Sequence, residues 1–186
     1  MSTMKHLHDS KTRRNYWLPN YRAPRVIDID FTVLAKRNIR NIAIDIDGTL
    51  VSGIYDKSVS QEYIEYLHDA RQTNNIRRLV IATNRMNGGI QDIAKELNAD
   101  ATINANLFSR KPMKSYYKRL LKTIEAPAEE TIMIGDRLWQ DILGANSVGM
   151  HTLLVEDFGP PEWYDSLLGR RWRQRRRMNR LNLPKL

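Results

Sequence analysis

The sequence predicts an α/β protein built on a parallel sheet with helices on both faces. Two observations carry this. Apolar, β-branched runs alternate with segments of helical period along most of the chain. Those runs are apolar at nearly every position, as strands covered on both faces require. With 186 residues and 41% hydrophobic content, the chain suffices for one such core.

The elements follow in order. Asn41–Asp47 (NIAIDID) reads as a strand. Ser58–Thr73 reads as a helix, opened by the capping-box pattern Ser58-x-x-Gln61 and carrying Tyr63, Ile64 and Leu67 on its apolar side. Arg78–Thr83 is a second strand. Gly89–Leu97 is a short helix with Ile90, Ile93, Ala94 and Leu97 on one face. Ala101–Ile103 is a short strand, and Met113–Ile124 a helix with Tyr116, Tyr117, Leu120 and Leu121. After the loop at Ala126-Pro127-Ala128 come a strand at Thr131–Gly135, a helix at Leu138–Ser147 and a last strand at Met150–Glu156. Gly159-Pro160-Pro161 then separates this body from a helix expected to begin near Glu162.

Composition removes several kinds of chemistry. With no cysteine there is no disulfide, no Cys-ligated zinc and no thiol catalysis. No stretch approaches the roughly 20 apolar residues of a membrane span, and the N-terminus lacks the apolar core of a secretory signal. The expected location is the cytoplasm, extending to peripheral contact with the inner face of a membrane.

Charge is unevenly spread. Of the net +9, residues 1–25 hold +5 and residues 169–186 hold +8, which leaves −4 between them. The expected organisation is a basic N-terminal tail at 1–17, one domain at 18–158, and a basic amphipathic segment at 159–186. In that last segment seven arginines are interleaved with Trp163, Leu167, Met178 and Leu181. An Arg-rich face opposite a Trp/Leu face suits an anionic membrane surface. The same arginines would grip a nucleic-acid backbone, the less favoured partner. A third reading docks the apolar face on the protein's own core and leaves the arginines solvated.

Ligands of parallel sheets gather at the carboxyl ends of the strands. Asp45 and Asp47 end the first predicted strand, Thr83 and Asn84 end the second, Lys111 follows the third, and Asp136 follows the fourth with Asp141 five residues on. Clustered carboxylates repel unless a cation neutralises them. Mg²⁺ is suited to that, because it takes few carboxylates together with substrate phosphate oxygens. A lysine beside them binds phosphate as a point charge. Asp45 can then serve as a nucleophile forming an aspartyl-phosphate, and Asp47 as the acid and base for the leaving oxygen and for water. Gly48 allows a sharp turn beside the phosphate, and Thr83 and Asn84 can donate to phosphoryl oxygens.

These four stretches, IDIDGTLV at 44–51, ATN at 82–84, Lys111-Pro112 and IGDRLWQD at 134–141, resemble the ordered motifs of the haloacid dehalogenase (HAD) superfamily. The resemblance implies a Rossmann-like fold and a role for each residue. Asp45 would be the nucleophile, and Asp47 the acid/base with its carbonyl on Mg²⁺. Thr83 would bind the phosphoryl group, and Lys111 would steady both nucleophile and phosphate. Asp136 would ligate the metal, and Asp141 would hold the metal's surroundings in place. The aspartate at 47 implies a phosphatase rather than a dehalogenase.

Neither the stretch from Leu50 to Thr83 nor that from Asn84 to Lys111 has room for a cap domain, so a capless enzyme with an open site is expected. The flank at 18–34, LPNYRAPRVIDIDFTVL, together with GANSVGMHTLLVE at 144–156, resembles the YqeG-type subfamily, related to phosphatidylglycerophosphate phosphatases. The implied function is a Mg²⁺-dependent phosphomonoesterase acting on that lipid. The alternatives are a phosphatase of a soluble ester or a polynucleotide end, and a non-catalytic nucleic-acid-binding scaffold. A second acidic pair, Asp28 and Asp30, is expected to lie in a turn or surface strand rather than at a second metal.

Overall fold

The structure, a computed structural model, describes residues 16–52, 56–86, 88–156 and 186. Six parallel strands form one sheet: β1 (Tyr21–Ala23), β2 (Asn41–Ile44), β3 (Arg78–Thr83), β4 (Ala101–Asn104), β5 (Thr131–Gly135) and β6 (His151–Val155). Their spatial order is β1-β6-β5-β2-β3-β4. The helices are α1 (Phe31–Lys36), α2 (Gln61–Thr73), α3 (Ile90–Glu96), α4 (Lys114–Ile124) and α5 (Leu143–Asn146), the last preceded by a π-helical turn at Leu138–Ile142. The expected fold class holds, as a Rossmann-like sheet. Among the described residues no inserted domain stands over its carboxyl end.

Strand residues alternate between two cores. Ile42, Ile44, Leu79, Ile81, Ile132 and Ile134 face one, with Leu34 of α1, Tyr63 and Leu67 of α2, and Ile93 of α3. The residues between them, Ala43, Val80, Ala82 and Met133, face the other, with Tyr116, Tyr117, Leu120 and Ile124 of α4 and Ala145 of α5. The second face is lined by small side chains where two tyrosines must fit. Tyr116 and Tyr117 are fully buried and meet edge-on, with ring centroids 5.3 Å apart. Gly144 completes this fit, since a Cβ there would lie 2.2 Å from the Tyr117 ring.

Several local expectations are corrected. The capping box at Ser58 does not form. α2 starts at Gln61 after Ser60, and Gln61 reaches forward to Glu65 (2.9 Å) instead of back. The Val59 N–H is taken by Glu96 of α3 at 2.8 Å, so a tertiary contact replaces the local cap. The segment at 138–147 is not one α-helix, because its first turn is π-helical. β1 and α1 were not expected at all. β1 is three residues long and forms only because β6 pairs with it in register, Tyr21 opposite Leu153. Asp28 pairs with Arg25 (3.1 Å) in a 3₁₀ turn, and Asp30 caps α1 by accepting from the Thr32 N–H (2.9 Å). The acidic pair is therefore in a turn and a cap, and not in a strand. Trp17, at the end of the expected tail, stacks on Trp139 at 5.4 Å. The expected C-terminal helix near Glu162 lies outside the described residues, as does the arginine-rich stretch.

Gly144→Ala should be destabilising by about 1–3 kcal/mol, because the new methyl overlaps a ring that has no room to move. Urea unfolding of the variant beside the wild type measures this.

Candidate active site

The chain runs from β2 outward to β3 and β4, returns to β5 on the other side of β2, and continues to β6. Such a reversal opens a crevice at the carboxyl ends of the two central strands. Register fixes what lies there. Ile44 is level with Ile81 and Ile134, so Asp45, Ala82 and Gly135 come next, side by side. The Asp45 N–H extends the ladder to the Ile134 carbonyl at 3.0 Å.

Lys111 reaches this point from the loop after β4. Its buried ammonium donates to Asp45 Oδ1 (2.8 Å), Asp141 Oδ1 (2.7 Å) and the Ala82 carbonyl (3.0 Å). These three partners match the three donors of an ammonium. Asn84 holds the lysine's backbone: the Lys111 N–H donates to Asn84 Oδ1 (2.9 Å), and Asn84 Nδ2 donates to the Lys111 carbonyl (3.1 Å). Asn84, expected to face a phosphoryl group, is turned to the loop that delivers Lys111. Thr83 is buried, and its hydroxyl accepts the Arg85 N–H at 3.0 Å.

Asp141 enters from the π-helical turn, and its second oxygen accepts the Arg137 N–H at 3.0 Å. Gly135 makes room for it, since a Cβ there would stand 2.4 Å from the Asp141 carboxyl carbon. Asp136 is buried one residue beyond β5. Carboxylate oxygens of Asp45, Asp136 and Asp141 all lie within 4.8 Å of one another. Arg137 Nε lies 3.6 Å from Asp136 Oδ2, so Lys111 and Arg137 together face three buried carboxylates, and an all-oxygen set of this kind fits a hard divalent cation. Burial pushes the Asp45 carboxyl up to about 7 against the pull of Lys111, with Asp141 and Asp47 adding to the rise. Burial opposes the charge on Lys111, yet Asp141 and Asp45 outweigh it and hold the ammonium above its ordinary range.

Asp47 does not join the carboxylate cluster through its side chain. Arg85 Nε and Nη2 both donate to Asp47 Oδ1, at 2.8 and 2.6 Å. Arg85 also donates to the carbonyls of Asp56 (2.8 Å) and Gly88 (3.3 Å). Its guanidinium thus joins the loop after β2 to the loop after β3. Sequence reasoning missed this residue. The available signal was a charged side chain directly after Thr83-Asn84, at the end of a strand buried from Leu79 to Thr83. Gly48 behaves as expected, with a left-handed φ of 74° and its N–H donating to the Val51 carbonyl at 2.8 Å.

Comparison with known proteins agrees with this arrangement. Residues 42–106 match the family described as "haloacid dehalogenase-like hydrolase", and residues 108–157 match "HAD-hyrolase-like". Together these stretches take in more than half of the chain and every residue of the site. The chain belongs to the HAD-like hydrolases. Within them it is a phosphatase, a phosphoric monoester hydrolase. This HAD phosphatase is 27% identical over 143 residues to "Probable phosphatase YqeG" of Bacillus subtilis, covering 76% of this chain and 78% of that one. A shorter stretch of 44 residues is 46% identical to the glyceraldehyde 3-phosphate phosphatase of Pyrococcus abyssi, covering 24% of this chain and 18% of that one. An uncharacterized protein from Listeria monocytogenes serotype 4b shares the fold, with a TM-score of 0.50 and 19% identity over 60% of this chain and 75% of that chain.

The raised Asp45 carboxyl has a consequence for the metal-free enzyme. In the unfolded chain an aspartate titrates near 3.9, so the folded protein holds this proton more tightly. The stability this contributes is complete below about pH 4 and is lost as pH rises toward about 7. With EDTA present, the melting temperature should fall between about pH 4 and about pH 7, and Asp45→Asn should flatten that part of the slope. Thermal scans of the two proteins in parallel separate this group from the other acids.

Proposed function

We propose that this phosphatase is a Mg²⁺-dependent phosphomonoesterase, that it works through an aspartyl-phosphate on Asp45, and that its substrate is phosphatidylglycerophosphate. The carrying observation is the convergence of Asp45, Asp136, Asp141 and Lys111 at one buried point. Asp45 and Asp136, with the Asp47 carbonyl, would hold the cation, and Asp141 would stand behind them. When bound, Mg²⁺ would supply the positive charge that lets an anionic carboxylate approach an anionic phosphate.

The chain's own residues do the rest. Lys111 (2.8 Å) and the Ile46 N–H (2.8 Å) both hold Oδ1 of Asp45, which leaves Oδ2 to attack phosphorus. As that bond forms, the phosphorus–oxygen bond to the alcohol breaks, and Asp47 gives its proton to the departing oxygen. Water then attacks phosphorus, Asp47 takes its proton, and Asp45 is restored as phosphate leaves. Arg85 clamps Oδ1 of Asp47 and so presents Oδ2 as the proton carrier.

The lipid substrate rests on the resemblance at 18–34 and 144–156 and on a site over which the described residues place no domain, open to a bulky ester. In this reading the enzyme works peripherally at the cytoplasmic face of a membrane, and the basic segment at 159–186 contacts anionic lipid. Among the described residues no helix is long and apolar enough to cross a membrane. A second reading, a soluble sugar-phosphate-like ester, is supported by the 44-residue similarity to glyceraldehyde 3-phosphate phosphatase.

Phosphate release should be Mg²⁺-dependent, abolished by EDTA and by Asp45→Asn, and fastest on vesicle-borne phosphatidylglycerophosphate. Faster release from glyceraldehyde 3-phosphate would select the second reading. Arg85→Ala should slow hydrolysis of phenyl phosphate by about a hundredfold while changing 2,4-dinitrophenyl phosphate little, because only the poorer leaving group needs its proton. An equal loss on both esters would give Arg85 a merely structural role.

A further inference from the structure

Among the described residues the large apolar side chains that stand exposed are Tyr16, Met86, Leu107, Phe108, Met113 and Trp139. All but Tyr16 lie in segments that follow the carboxyl ends of strands, the end that carries the site; Trp139 is in the π-helical turn after β5. Met86 follows Asn84 by two residues, Met113 follows Lys111 by two, and Trp139 follows Asp136 by three.

The most exposed pair sits on a built support. Asn106 and Ser109 exchange both backbone hydrogen bonds (2.9 and 3.3 Å), and Asn106 Oδ1 accepts the Phe108 N–H at 3.0 Å. The result is a tight turn with Leu107 and Phe108 at its two central positions, each 85% exposed. Such positions favour glycine, proline, asparagine, aspartate and serine, whose conformations or short side chains suit a turn. Leucine and phenylalanine add nothing to this turn and cover no core.

The charge around the turn is one-sided. Residues 101–124 contain Arg110, Lys111, Lys114, Lys118, Arg119 and Lys122 and no acid. Residues 26–168 as a whole sum to −4, so the positive stretch stands out from the chain around it. Lys111 faces inward, whereas Arg110, next to the turn in sequence, and Lys114 and Lys118 of the helix that follows are exposed. Apolar tips followed in sequence by exposed cations match an anionic bilayer: side chains among the acyl chains, cations at the head groups.

We propose that the Leu107–Phe108 turn is a membrane-docking tip that seats the open site against an anionic lipid surface. Phe108 stands three residues before Lys111 in the same loop, so docking the turn brings head-group phosphates toward the catalytic lysine. This deepens the lipid-phosphatase reading, yet it concerns binding and not turnover.

The test is co-sedimentation of the full chain with vesicles of phosphatidylglycerol and phosphatidylcholine in equal parts, and with phosphatidylcholine alone. Wild type should bind the mixed vesicles and not the neutral ones. Leu107→Ser/Phe108→Ser should weaken binding by about tenfold or more, while 2,4-dinitrophenyl phosphate is hydrolysed as by wild type. Asp45→Asn should bind like wild type without turnover. That result would leave docking intact even if no substrate were found for the wild type. Three outcomes overturn the proposal. The first is a double variant that binds as wild type does. The second is loss of binding on deleting 169–186 alone, with the double variant's binding intact. The third is a wild-type oligomer in solution that the double variant dissolves, which would make the turn a contact between copies of the chain.

Discussion

One buried ammonium organises this end of the molecule. Lys111 lies between Asp45 and Asp141 and also donates to the Ala82 carbonyl, so it binds β2, β3 and the turn after β5 together. Away from water, an ammonium costs too much to leave unpaired, and a carboxylate likewise. Each therefore fixes the position of the other. Asp136, 3.6 Å from Arg137 Nε, brings a third carboxylate to the same place. Three carboxylates together make the site receptive to a hard cation, and burial, with Asp141 and Asp47 adding to it, raises the Asp45 carboxyl.

The fold is shaped to deliver this group. The reversal between β2 and β5 sets Asp45 beside Gly135, and the absence of a side chain at Gly135 admits Asp141. On the underside, Ala43 and Ala82 make space for Tyr116 and Tyr117. The Tyr116 hydroxyl donates its one proton to the Ile103 carbonyl (2.7 Å), shared with the Thr83 carbonyl at 3.2 Å, tying α4 to the ends of β3 and β4. Lys111 begins the loop that leads into α4. The packing of two rings thus helps set where the ammonium falls.

The two aspartates of the first motif are handled alike. Each has one oxygen, Oδ1, held by a cation: Lys111 for Asp45 and Arg85 for Asp47. A carboxylate rotates freely unless something fixes it, and reactions at one oxygen require that orientation. Arg85 also reaches the carbonyls of Asp56 and Gly88, so the orientation of Asp47 is linked to the loops beside the mouth. The apolar, basic rim at the same end is of a piece with this, since an open site takes its specificity from the surface around it.

Sequence alone determined the alternation of strands and helices, the placing of Asp45, Asp47, Thr83 and Asp136 at or just past strand ends with Lys111 and Asp141 in the segments that follow, and the turn at Gly48. Periodicity and turn chemistry are local and can be read without neighbours. The residues whose roles depend on contacts far along the chain were decided only by the tertiary structure. β1 exists because β6 pairs with it. α2 begins at Gln61 because Glu96 takes the Val59 N–H. Asn84 orients Lys111, 27 residues away, and Arg85 closes on Asp47, 38 residues away. A short strand, an uncapped helix start and an arginine after a strand have no distinctive local pattern. Their energies come from partners that only folding brings within reach.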